Sequence, residues 1–124
     1  MNRSLRFAGW YGLTVGVLMV GQWTFFLIAG QVPEVHTEPI RLGFHLAAEL
    51  ATAVALIFSG WAVLRSIAWG RPVLLVATGM LIYTVVVSPG YFAQQGQWLF
   101  LGLFGALLAL AIVSAGTLIR SMSA

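Results

Sequence analysis

Residues 39–64 read PIRLGFHLAAELATAVALIFSGWAVL, twenty-six positions in which Arg41 and Glu49 are the only formally charged residues. Ahead of them, Thr37-Glu38-Pro39 supplies an oxygen-bearing cap and a proline near the first helical position, the usual signature of a helix start. At about 1.5 Å per residue the helix would run roughly 39 Å, longer than the roughly 30 Å hydrocarbon core of a bilayer, so its first turns should project into the interface. An apolar helix of this length is read as one that crosses a membrane.

Three further apolar runs lie at about 7–29, 72–88 and 98–119. The stretches between the four are short and rich in turn-forming residues: GQVPEVHTEP, RSIAWGR and SPGYFAQQGQ. Hydrophobic residues make up 60% of the chain and charged residues 7%, with a mean hydropathy of +0.98. A soluble domain carries roughly 25% charged residues and could not hide so much apolar surface. Four spans nearly exhaust the 124 residues, so the expectation is a single four-span domain over residues 1–124. Short connections make consecutive helices antiparallel neighbours, and the fold class expected is all-α: an integral-membrane, up-down-up-down four-helix bundle.

The start of the chain, with Arg3 and Arg6 before an apolar stretch, superficially resembles a secretory signal. The stretch from Phe7 to Ala29 is too long for the apolar core of a signal and no small-x-small cleavage site follows, so it is read as a retained first span. There is no cysteine, which excludes disulfides, thiolate metal sites, CxxC redox chemistry and covalent haem attachment. The net charge of +3 comes wholly from arginines placed singly or in close pairs at span ends. That placement suits phospholipid headgroups and forms no basic stripe for nucleic acid.

Orientation follows from those arginines, because loops facing the cytoplasm retain Lys and Arg. Arg3, Arg6, Arg65, Arg71 and Arg120 fall on one side and Arg41 alone on the other, which puts both termini in the cytoplasm and predicts a multi-pass protein of the cell's inner (plasma) membrane. Interfacial aromatics agree: Trp10, Tyr11, Trp61 and Trp69 fall at the inner level, and Trp23, Tyr91 and Trp98 at the outer. Gly12 and Gly16 on the first span, and Gly102, Gly105 and Ala109 on the fourth, have the spacing that lets helix backbones approach closely in lipid.

Chemistry concentrates at the outer end. All three acidic residues lie between Glu34 and Glu49, and both histidines, His36 and His45, lie in the same stretch. His45 and Glu49 are four residues apart and share a helix face, with Glu49 about one turn deeper. A carboxylate at membrane depth is costly and normally faces the bundle interior or a wet cavity, which makes it a functional candidate. Depth-matching brings Gln22 of the first span and Tyr83 of the third to broadly the same level, and Thr24, Thr52 and Ser88 could add hydroxyls. In the third loop, Tyr91, Gln94, Gln95 and Gln97 could form an uncharged lid. A carboxyl ringed by amide, imidazole and phenol donors can bind a small polar headgroup, a quinone, a proton or a cation. The same His–Glu pair could equally serve only to close the outer end of the bundle.

Metal binding is a separate reading, in which His45, Glu49, His36 and Glu38 supply nitrogen and oxygen ligands to a divalent ion. A buried b-type haem would need histidines on facing helices, and only His45 is available. No nucleophile elbow, phosphate-binding glycine loop or HExxH motif occurs, so no catalytic residue can be named.

Ala48-Glu49 followed by LATAVALIFSGWAVLR, with Gly60 before the basic turn at Arg65, resembles the second helix of DoxX-like small membrane proteins. The likeness covers mainly residues 45–85. It implies a four-helix bundle and carries over Glu49 as a polar-core residue; some members of that family are associated with quinol oxidation. His45 and the SPGYFAQQGQ segment depart from the family's pattern.

The sequence thus leads to the expectation of a small membrane bundle whose outer-leaflet pocket, formed by Glu49, His45, Gln22, Tyr83 and Tyr91, binds a small or lipid-soluble ligand of quinone or lipid type, or docks a partner subunit of a membrane complex. The alternatives are a proton- or cation-coupled small transporter, with a homo-oligomer as one form, and the metal-binding protein described above.

Overall fold

The computed structural model of the chain describes residues 2–30, 34–88, 93–94 and 96–122. Five helices lie among them: α1 (Arg3–Ile28), a one-turn α2 (Glu34–Thr37), α3 (Pro39–Leu64), α4 (Gly70–Val87) and α5 (Trp98–Met122). No strand occurs among the described residues. The helices α1, α3, α4 and α5 are each long and apolar enough to cross a membrane.

α1 begins four residues before its apolar run because Asn2 caps it, the Leu5 amide donating to Asn2 Oδ1 at 2.7 Å. α3 starts at the expected proline, with Glu38 in the cap position. The Glu38 side chain makes no capping bond and instead faces Arg41, Nη1 to Oε1 at 3.4 Å. That surface pair contributes at most about 1 kcal/mol.

The four long helices form a ring in which α1 packs on α3, α3 on α4, α4 on α5 and α5 back on α1. The α1–α3 seam is the closest, and glycine makes it possible. A Cβ on Gly16 would meet the Ala53 carbonyl oxygen at 2.7 Å, and one on Gly60 would meet the Gly9 carbonyl oxygen at 2.7 Å. Gly16 therefore acts as the spacing suggested, whereas a Cβ on Gly12 would meet the Leu74 side chain of α4 at 2.8 Å. Gly102 and Gly105 do not: nothing lies within 4 Å of where their Cβ atoms would be, and they and Ala109 are exposed on the outside of α5. Spacing marks a small-residue stripe without saying which way it faces.

Burial is concentrated towards the arginine-rich end, where Leu56, Leu74, Leu81 and Leu118 are among the most enclosed side chains. Beyond Met19 on α1, and before Ala111 on α5, no described residue is buried. Tyr11 departs from the interfacial role expected of it. It turns inward, and its hydroxyl donates to the main-chain carbonyl of Leu107 on α5 at 2.6 Å.

Candidate ligand-binding groove

His45, Ala48, Glu49 and Thr52 recur at three- and four-residue steps and so form one stripe along α3. Met80, Tyr83, Thr84, Val87 and Ser88 do the same along α4 and its last turn. The two stripes face each other as the walls of a groove of about 300 Å³. Its place is set by the chain: Glu49 lies fifteen residues before the end of α3 and Tyr83 thirteen after the start of α4, so both sit about 20 Å from the arginine-rich end.

Glu49 is buried, at 6% exposure. Its Oε1 lies 3.8 Å from His45 Nε2, too long for a hydrogen bond and close enough for an ion pair when the imidazole is protonated. His45 is half exposed and is held from behind by Trp23 of α1, whose ring meets it edge-on at 5.6 Å and 71°. Thr52 donates its hydroxyl to the Ala48 carbonyl at 2.8 Å, which occupies its proton and leaves the oxygen able to accept. The groove therefore offers a carboxyl at depth, an imidazole at its mouth and hydroxyls from Tyr83, Thr84 and Ser88 opposite, between apolar surfaces of Met80 and Val87. Such a set can hold one polar head and a short apolar stem.

The structure brings His45, Glu49, Tyr83, Thr52 and Ser88 together. Tyr83 stands at the rim, 72% exposed. Gln22 does not join them: it is exposed, because the inward phase of α1 passes from Met19 to Trp23, and depth-matching alone does not fix rotation about a helix axis. Thr24 is also exposed, its hydroxyl bonded to the Val20 carbonyl of its own helix. Tyr91 and Gln95 lie outside the described residues. Gln94 and Gln97 are exposed.

The expected metal set does not assemble. No group of three or more His, Asp or Glu that could hold an ion is found among the described residues. Glu38, at the cap of α3, is engaged by Arg41 and exposed, and His36 is exposed on α2, leaving only the His45–Glu49 couple. Three contributors escaped the sequence reading, Met80, Thr84 and Val87; nothing in their local sequence sets them apart from other apolar-helix residues, and only the facing of α3 and α4 selects them. Trp23 was legible as an interfacial aromatic, and its contact with His45 was not.

A family model described as a domain of unknown function, DUF8058, matches residues 1–124. No curated protein and no solved structure matches the chain.

Proposed function

The chain belongs to the DUF8058 family, and from its own groove we propose that it is a multi-pass inner-membrane protein whose α3–α4 groove binds a lipid-soluble ligand with a hydrogen-bonding head, of quinone or lipid type. Both termini face the cytoplasm, and the groove opens in the outer leaflet. Support for the membrane comes from the four apolar helices and from large apolar side chains exposed around them, such as Phe25, Phe58, Val76 and Ile112. Support for the orientation comes from the five arginines gathered at one end.

The observation that carries the ligand reading is the burial of Glu49 in a groove whose other polar groups are an imidazole and hydroxyls. A carboxyl held there with His45 Nε2 no nearer than 3.8 Å costs free energy, and a site that keeps one normally uses it. A quinone carbonyl or lipid hydroxyl would bond a protonated or ionised Glu49 respectively, with His45 or Tyr83 completing the head contacts. Leu56, Leu74, Leu81 and Leu118 fill the core on the arginine-rich side of Glu49, which favours a closed-ended site over a transport pathway. The resemblance of residues 45–85 to DoxX-like proteins implies the same four-helix architecture, with Glu49 as a polar-core residue.

Glu49→Gln and Glu49→Leu test this. The reading expects both proteins to fold, Glu49→Gln to hold a lipid-soluble ligand about tenfold less tightly, and Glu49→Leu to lose it. Unchanged ligand retention in both would reject it.

A further inference from the structure

A second cavity, of about 460 Å³, opens at the opposite end of the bundle from Glu49. Ser66 and Ile67 of the α3–α4 turn, Arg71 and Pro72 of the first turn of α4, and Ser121 and Met122 of the last turn of α5 line it. Every acidic residue of the chain lies between positions 34 and 49, at the other end, whereas five of the six arginines are here. No Asp or Glu side chain therefore lines this cavity.

Arg71 supplies that cation. Its Nη1 donates to the main-chain carbonyl of Ser121 at 3.3 Å, which anchors the guanidinium across the cavity while using one of its five N–H donors. Arg71 and Pro72 lie in the first turn of the eighteen-residue α4, where Gly70 N–H is taken by the Ile67 carbonyl at 3.0 Å and Pro72 has no N–H, so the charged contact falls to the Arg71 side chain. At the end of α3, Ile67 N–H bonds the Ala62 carbonyl at 2.9 Å and Ser66 N–H bonds the Val63 carbonyl at 3.0 Å, the paired bonds of a Schellman turn.

That turn has an unusual residue at its left-handed position. Ser66, at φ 57°, is the one non-glycine residue with positive φ among the described residues, at a site glycine would fill with less strain. Its hydroxyl-bearing side chain stands in the cavity wall with Arg71. Ile67, Pro72 and Met122 make the remaining wall apolar. A guanidinium and a hydroxyl donor beside apolar surface match a phosphoryl oxygen group attached to a less polar body.

We propose that this cavity binds a phosphate group, with Arg71 making the charged contact and Ser66 donating from its hydroxyl. The group can belong to a phospholipid headgroup or to free phosphate. In the full chain purified in neutral detergent, native mass spectrometry with added phosphatidylglycerol in one arm and inorganic phosphate in the other identifies the source. A single retained adduct in either arm is expected.

Arg71→Gln should lower that retention about tenfold. Arg65→Gln should leave it within about twofold, since Arg65 lies over the Trp61 ring at 5.9 Å and does not line the cavity. Because Arg71→Gln also releases the Ser121 carbonyl, Ser66→Gly provides a variant that relaxes the turn: it should fold at least as stably as the wild type and hold the adduct about threefold less tightly. Equal loss in Arg65→Gln and Arg71→Gln, or unchanged retention in both Arg71→Gln and Ser66→Gly, would overturn the proposal. Absence of any adduct in both arms would overturn it as well.

Discussion

His45 Nε2 stands 3.8 Å from Glu49 Oε1, with the carboxylate buried and the imidazole half exposed and backed by Trp23. A buried charge weakly paired in this way adds little to stability, and an apolar residue of similar volume is often as good or better. Glu49→Leu is therefore expected to leave the protein as stable as wild type or up to about 1 kcal/mol more stable. His45→Ala should cost about 1 kcal/mol in the wild-type background, and measurably less in the Glu49→Leu background. Thermal unfolding of the four proteins in one detergent gives the cycle; identical effects of His45→Ala in both backgrounds would show that the two side chains do not interact.

Close packing of α1 on α3 makes a sharper contrast between glycines. Gly16→Ala drives a methyl group to 2.7 Å from the Ala53 carbonyl, a backbone atom that cannot yield cheaply. The expected cost is about 2–3 kcal/mol, from separating the two helices. Gly105→Ala meets nothing within 4 Å and should be neutral or slightly stabilising, by up to about 0.5–1 kcal/mol from helix propensity. Thermal shifts of the two variants, measured side by side, decide whether the seam or the α5 stripe holds the bundle.

The Tyr11 hydroxyl joins α1 to α5 through the Leu107 carbonyl at 2.6 Å. Tyr11→Phe keeps the ring, including its stacking on Phe7 at 5.8 Å, and removes only that bond. A loss of about 0.5–1.5 kcal/mol is expected in a thermal melt, with α5 the first helix to gain amide exchange because it has the fewest buried residues of the four long helices. Uniform exchange across all helices would contradict the role given to this bond.

How far the sequence disclosed this arrangement depends on what each feature requires. Apolar runs and turn residues locate the four long helices to within a few positions, and the shortfall at α1 is the cap at Asn2, which composition hides. The i,i+4 pairing of His45 and Glu49 is a property of one helix, and so it was legible. Facing between helices was not: Gln22 and Trp23 are neighbours in sequence, yet only Trp23 turns to α3. The same missing rotation sent Gly102 and Gly105 outward and Tyr11 inward. The cavity at Arg71 needed the ends of three helices to meet, with a serine in a backbone conformation that gives no sequence signal.

The claim that the α3–α4 groove is a ligand site is tested most directly by filling it while leaving its polar groups intact. Val87 lines the groove and is 52% exposed, so Val87→Trp can occupy the space without entering the core. Small molecules extracted from equal amounts of purified wild type and Val87→Trp are compared by mass spectrometry. The account predicts one lipid-soluble compound, enriched over bulk lipid in the wild type and depleted about tenfold or more in Val87→Trp while the melting temperature is kept. Equal retention in the two proteins, or no enriched compound in the wild type, would contradict it.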